Sequence, residues 1–396
     1  MVMAETPLRG GVGRGCFPAP DDGRHRDEDS DMKDPRNQFE ALRMALRTHL
    51  YERDEEIDAT LAALLAREHV LLLGPPGTAK SLLARLLAQA IEGSYFDWLF
   101  SKFTVPEEVL GPISVSQLKR DRYQRVTAGK LPTAEIAVLD EVFKANSAIL
   151  NALLTILNER VYHDGTRGPV DCPLELAVTA SNELPQDDGL EALYDRILVR
   201  LEVSPIRDDD AFESLLQRNG TASPVPRLER PALEAIRQEV ATVTFGPDIA
   251  ATVSSLRRRL QTEGIRPSDR RWVQVVGYLR AVAWMDGDTE VNDDHLVGLM
   301  NVLWDEPGQR PAIETAILSI ANPTRLKVMT LLDAAKAEWS AADQGNRTEV
   351  EAAGLKVRMA FDQMERLDRN NAAVRAGLGE LMTIRKAVQA AVLAFM

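Results

Sequence analysis

Between residues 37 and 206, short apolar runs alternate with stretches whose apolar residues recur at helical spacing. Val70 to Leu73, Tyr95 to Leu99, Ile136 to Leu139, Leu174 to Ala180 and Leu201 to Val203 are the runs. Mostly apolar runs of that length predict strands buried on both faces, as in a parallel sheet covered by helices. Phe39, Leu42, Leu46 and Leu50, then Ile57, Leu61 and Leu64, predict two helices ahead of the first strand. Leu82, Leu83, Leu86 and Leu87 follow that strand on a third. Ile149, Leu150, Leu153, Leu154 and Leu157 predict a helix over Asn146 to Glu159, and Gly189 to Arg200 a further one. Thr104 to Gly111 reads as a short acidic helix. Asp121 to Gly129, and Arg160 to Pro173 with its Asp164-Gly165 pair, read as hairpins.

From Arg207 the pattern turns helical without strands: Asp208 to Arg218, Arg230 to Val240, Asp248 to Glu263, Asp269 to Asp286 and Asn292 to Leu303, with Pro224 and Pro226 as a linker. Past Pro307 come three amphipathic stripes, through Val328 to Trp339, Val357 to Leu367 and Leu378 to Val392. These predict a bundle or stalk. Residues 1–36 hold glycines, prolines and a charge run with no apolar face, the signature of a disordered leader. The fold class is therefore α/β, divided as 1–36 leader, 37–206 core, 207–306 helical lid and 307–396 helical C-terminal domain.

The net charge of −13 argues against a nucleic-acid partner, since phosphate backbones call for clustered Lys and Arg. Only Cys16 and Cys172 are present, so no disulfide framework is available. No apolar run reaches membrane-spanning length, and a cytoplasmic protein is expected.

The chemistry begins where the first strand meets Gly74-Pro75-Pro76-Gly77-Thr78-Ala79-Lys80-Ser81-Leu82. Strand, glycine-bearing loop and helix N-terminus in that order make a phosphate cradle, because backbone N–H groups and the positive end of the helix converge on the anion. Lys80 would reach the β- and γ-phosphates of ATP, and the Ser81 hydroxyl would sit on Mg²⁺. Ala79 stands where the strict pattern has its second glycine; alanine fits there if φ is negative. The strand over Ile136 to Leu139 ends in Asp140-Glu141, two acids facing a ligand crevice. Asp140 would hold Mg²⁺ and Glu141 would polarise the attacking water. Asn182, at the end of the next strand, is positioned for the γ-phosphate or that water.

Arg196 and Arg200 share a helical face, with one expected to point at a neighbouring subunit. Arg270 and Arg271, opening a helix capped by Ser268 or Asp269, are expected to fold over the nucleotide. Tyr51 or Ile57 is the choice for adenine contact, and His163 reads as a solvated turn residue.

With cradle, acidic strand end, Asn strand end and helical lid in that order, the chain resembles the AAA+ ATPases, and within them the MoxR group and its RavA type. GPPGTAKS, PEEVLGP, AEIAVLDEVFKAN, AILNALLTILNER, ASNELP and LEALYDRILVRL carry the likeness. The resemblance implies a P-loop core with a five-stranded parallel sheet, an all-α lid and hexameric rings with ATP at the subunit boundaries. It implies Lys80 and Ser81 in Walker A, Asp140 and Glu141 in Walker B, and Asn182 as sensor 1. Arg196 becomes the arginine finger acting in trans, and Arg270 sensor 2, with Arg271 close behind. The two hairpins resemble inserts that face the pore. A von Willebrand factor A-domain protein is the implied partner, the client being unspecified. The β-rich domain that interrupts the RavA stalk has no counterpart in the apolar pattern here. Two other readings stay open on the residues: an ATP-gated scaffold with little turnover, and a DNA-acting motor of the helix-2-insert clade.

Overall fold

The computed structural model describes residues 34–164, 168–185, 188–217, 224–343, 345–368, 371–393 and 395. The leader expected over 1–36 lies outside the described residues up to 33. Asp34 Oδ1 accepts Arg36 N at 2.9 Å, and helix α1 opens at once on Pro35. Two helices, α1 (Pro35–His49) and α2 (Asp54–Ala66), precede strand β1 (Val70–Leu73). Next come α3 (Lys80–Ala90), β2 (Tyr95–Leu99), the short helices α4 (Pro106–Leu110) and α5 (Val115–Leu118), and β3 (Ile136–Asp140). They are followed by α6 (Ser147–Glu159), the hairpin β4 (Val161–His163) with β5 (Pro169–Asp171), then β6 (Leu176–Ser181), α7 (Asp188–Tyr194) and β7 (Val199–Glu202).

The five central strands are parallel, in the order β2-β3-β6-β1-β7. Their side chains alternate between two cores, as the strand period of two requires. Val70, Leu72, Ile136, Val138, Leu176 and Val178 pack toward α1, α2 and the later helices. Leu71, Ala137, Leu139 and Ala177 pack toward α4, α6 and α7. Full burial of each large residue here contributes about 1.5–3 kcal/mol against exposure, which is why the runs show no polar alternation. The fold is α/β, three-layered, with the carboxyl ends of all five strands on one side.

Beyond the sheet lie α8 (Asp209–Gln217), α9 (Arg230–Thr242), α10 (Pro247–Thr262), α11 (Asp269–Asp286) and α12 (Arg310–Ala321). The helix expected over Asn292 to Leu303 is a 3-10 helix over Asp293–Asn301, opened by Asn292 accepting from Asp294 N. Three long helices, α13 (Pro323–Ala341), α14 (Arg347–Met364) and α15 (Ala372–Leu393), bury their own core of Val328, Leu332, Val357, Phe361, Met364 and Leu381. Each follows one of the three stripes.

The first hairpin is reduced to one short antiparallel pairing. Residues 121–129 contain no named strand, but Gln124 to Val126 runs antiparallel to Pro112 to Ser114: Ile113 and Arg125 form a bridge, Ser114 N donates to Gln124 O and Val126 N to Pro112 O, both at 2.8 Å. Arg125 explains the difference: its guanidinium donates to Gly111 O at 2.7 Å and pairs with Glu107, while its backbone N donates to Asp164. Gly111 permits the approach, since a Cβ there would stand 2.0 Å from Val126 O. The second hairpin forms, with Tyr162 opposite Val170 and His163 exposed. Most of its turn, residues 165–167, lies outside the described residues.

Candidate functional site

The register brings three strand ends together. Leu73 stands opposite Ser181, and Asp140 opposite Ala180, so β3, β6 and β1 finish side by side. Gly74, Glu141 and Asn182 are therefore the next residues of adjacent strands. At Gly74 the backbone passes against β7: a Cβ would lie 2.1 Å from Val203 O, while Gly74 N donates to Ser181 O at 3.0 Å. Only glycine fits there. The loop then turns through Gly77 at φ +82°, and Thr78 Oγ1 donates to Pro75 O at 3.0 Å.

Ala79 corrects the sequence expectation. Its φ is +65° with ψ 18°, left-handed rather than helical, as the residue just before α3. This conformation disfavours an L side chain by roughly 1–2 kcal/mol, which is why the strict pattern has glycine at this slot. It is retained here because the loop must reverse to bring its N–H groups onto one centre, and the first N–H groups of α3 have no acceptor within the helix.

Lys80 is buried. Its Nζ donates to Gly74 O at 2.5 Å and Pro75 O at 2.9 Å, and burial lowers its pKa while Asp140 and Glu141 raise it. Ser81 follows it on α3, half-buried, with Leu82 at the surface. Asp140 is half-buried, and one of its oxygens accepts Glu141 N at 3.0 Å. Glu141 is itself left-handed, at φ +53°. Its Oε2 lies 3.1 Å from Lys144 Nζ, an ion pair whose alignment falls short of a hydrogen bond, so this buried oxygen is unsatisfied. The left-handed backbone at Glu141 is a local strain, and its carboxylate lines a cavity with Lys102, Asn146 and Ser181. Asn182 is exposed at its strand end. Ser81 and Asp140 offer a hydroxyl and a carboxylate, hard oxygen donors that suit Mg²⁺.

Arg53 was not foreseen. It is buried just before α2, donating to Ser204 O at 2.5 Å and, more weakly, to Thr78 O at 3.4 Å. It ties the cradle to the N-terminal helices, and nothing in the sequence separates it from a solvated arginine. Ile57 is fully buried in the core and cannot meet adenine. Tyr51 is half-buried.

The arginines lie elsewhere. Helix α7 runs back from the end of β6, so Asp195 and Arg196 sit at the amino ends of the strands, where Val199 pairs with Val70. From there to the cradle is the length of β1, roughly 13 Å for four residues. Arg196 lines a cavity of about 430 Å³ beside His69, Glu68, Arg160 and Gln274. It donates to Ala192 O at 2.6 Å, its Nε is buried without a hydrogen-bond partner among the described residues, and burial with nearby Arg270 lowers its pKa. In the same cavity burial pushes the Glu68 carboxyl up to about 7, with Gln274 Nε2 donating to it at 2.7 Å.

Arg200 is fully buried and committed: it donates to Trp304 O, Tyr194 O, Ile197 O and Asp305 Oδ1, and its guanidinium lies 3.6 Å over the Tyr194 ring. Arg271 is 2% exposed and donates to Asp305 at 2.9 Å and Asp195 at 3.3 Å. Burial pushes the Asp305 pKa up, but Arg271 and Arg200 more than offset it and hold it below the ordinary carboxylate value. Both arginines cross-link α7, the start of β7 and α11. Arg270 is half exposed, with Asp195 no closer than 3.9 Å. Neither Arg270 nor Arg271 lies over its own chain's cradle, because both are tied to Asp195 at the far end of the sheet.

A family model described as the MoxR domain in the MoxR-vWA-beta-propeller ternary systems matches residues 37–241, and an AAA lid domain matches residues 248–317. The chain belongs to the MoxR family of AAA+ ATPases. An uncharacterised protein of Methanocaldococcus jannaschii is 40% identical to this MoxR protein over 285 residues, covering 72% of this chain and 76% of the relative. Chaperone MoxR1 of Mycobacterium tuberculosis is 26% identical over 199 residues, 49% of this chain and 51% of its own. A crystal structure of a candidate ATPase from Cytophaga hutchinsonii superimposes with a TM-score of 0.61 at 19% identity, covering 76% of this chain and 98% of that one, and so shares its fold. Among the described residues of this MoxR chain, no helix is long and apolar enough to cross a membrane.

Proposed function

We propose that this chain hydrolyses Mg·ATP at sites completed between neighbouring copies in a ring, six by the family's habit, and spends the cycle on remodelling or activating a partner protein in the cytoplasm. The observation that carries this reading is the placement of Arg196. It sits at the amino ends of the strands, the length of a strand from its own cradle, with a buried Nε that no group among the described residues satisfies. A head-to-tail contact between copies brings one copy's amino-end edge to the next copy's cradle, and repetition of that contact closes a ring.

In this reading the cradle from Gly74 to Leu82 holds the phosphates, and Lys80 leaves its loop carbonyls for the β- and γ-oxygens. Glu141 holds and polarises a water in line with the γ-phosphate, and Asn182 orients that water or the phosphate itself. Mg²⁺ held through Ser81 and Asp140 would neutralise charge on the β- and γ-oxygens. Arg196 from the neighbour meets the charge that grows in the transition state, and Arg270, half exposed beside it, makes the second contact in trans. Arg200 is fully buried, with four of its five N–H donors engaged inside its own chain, and does not reach a neighbour.

The partner proposed is a von Willebrand factor A-domain protein, as the matched family's description suggests. The motif likeness to the RavA type and the name of chaperone MoxR1 support a chaperone-like motor. Turnover per copy should then rise steeply with protein concentration through the range where the ring assembles. A protein that remains monomeric by light scattering yet hydrolyses ATP at its full rate would overturn the reading.

A further inference from the structure

Helix α8 (Asp209–Gln217) is amphipathic yet buries no residue. Phe212, Leu215 and Leu216 are 49%, 41% and 69% exposed, and their spacing puts them on one face. Leaving three large apolar side chains in water forfeits the stabilisation that burial gives. The helix is also acidic: Asp209, Asp210 and Glu213 have no cationic partner among the described residues. Its start is held beside the cradle, because Arg207 N and Asp208 N both donate to the Glu52 carboxylate, next in sequence to the Arg53 that ties Thr78.

The opposite edge of the molecule mixes acids with cations, but its exposed Asp269 is already paired with Arg257 at 3.0 Å. Arg196 and Arg266 form no ion pair among the described residues, and Arg270 has only its distant contact with Asp195. Val273, one turn beyond Arg270 on α11, is 73% exposed. Gln274 beside it shares the cavity of Arg196, so this apolar and basic face borders the finger.

We propose that α8 of one copy docks by Phe212, Leu215 and Leu216 on the α11 face of the next copy, around Val273, with the α8 carboxylates facing Arg266. The charges are complementary, and the two faces lie at the two edges that a head-to-tail contact must join. This rests on the ring reading above and names the part of the seam that holds copies together apart from the nucleotide.

The test uses the full chain with Cys16→Ser, in which the remaining cysteine, Cys172, is buried. Leu216→Cys and Val273→Cys are introduced singly and together and treated with a short bismaleimide in Mg·ATP. The double variant should give a ladder of covalent oligomers, and each single variant none beyond background. Leu216→Asp should shift the Mg·ATP assembly to monomer by light scattering while a fluorescent ATP analogue still binds within about threefold of the parent. Rings that form normally in Leu216→Asp, or that form without a ladder in the double-cysteine protein, overturn the docking and leave the ring reading intact. A parent protein that never assembles with Mg·ATP overturns both.

Discussion

Replacing Arg196 with alanine should lower ATP turnover by about 10³–10⁵, the range an arginine finger supplies, with nucleotide affinity altered less than about tenfold, or about 1.4 kcal/mol. The two effects separate because the cradle lies at the other ends of the strands, where Gly74, Lys80 and Ser81 are positioned by contacts that Arg196 does not share. Among the described residues Arg196 makes a single side-chain hydrogen bond, to Ala192 O, which is exposed, so its removal leaves no buried partner stranded there. Arg200, four residues on, cannot take over: the bonds that occupy its guanidinium hold Tyr194, Trp304 and Asp305 in place. Phosphate release and equilibrium binding of a fluorescent ATP analogue, measured on the same preparation, check both halves. Undiminished turnover would remove Arg196 from the reaction.

Glu141→Gln should act on the other half of the site. It keeps the shape of the side chain but cannot accept a proton from water, a loss worth about 10²–10⁴ in rate for a general base. The left-handed backbone at Glu141 is fixed by the strand end and the turn into Val142, so glutamine should occupy the same position. Binding should persist, and the variant should retain ATP rather than ADP. Nucleotide recovered from the protein after gel filtration reads this directly, and normal steady-state turnover with no retained ATP would take Glu141 out of the mechanism.

The strands and the cradle were legible because both are local. VLLL, IAVLD and LAVTAS had to be apolar to lie between two layers of helices, and the groups that grip a phosphate follow the first strand without interruption. Local signals also misled. Ala79 reads as a helix former, but its conformation is set by the reversal of the loop. The turn residues around 121 read as a full hairpin, but the pairing is limited to the bridge of Ile113 with Arg125, whose guanidinium goes to Glu107 and Gly111. Pairings distant in sequence were invisible. Arg200 and Arg271 look as solvated as Arg196 and Arg270 until Asp305 arrives between them, 105 and 34 residues away. Arg53 likewise depends on Ser204, and the direction in which Arg196 faces depends on where α7 ends relative to the sheet.

The central claim is that one copy brings the base and its neighbour brings the finger. Arg196→Ala and Glu141→Gln proteins, each silent alone, are mixed in equal amounts, allowed to exchange subunits and assayed for phosphate release. Half the sites have an intact Glu141, and half of those face an intact Arg196, so the mixture should recover about a quarter of the parent rate. Mixed rings that form yet stay as silent as either variant would contradict a site shared between copies.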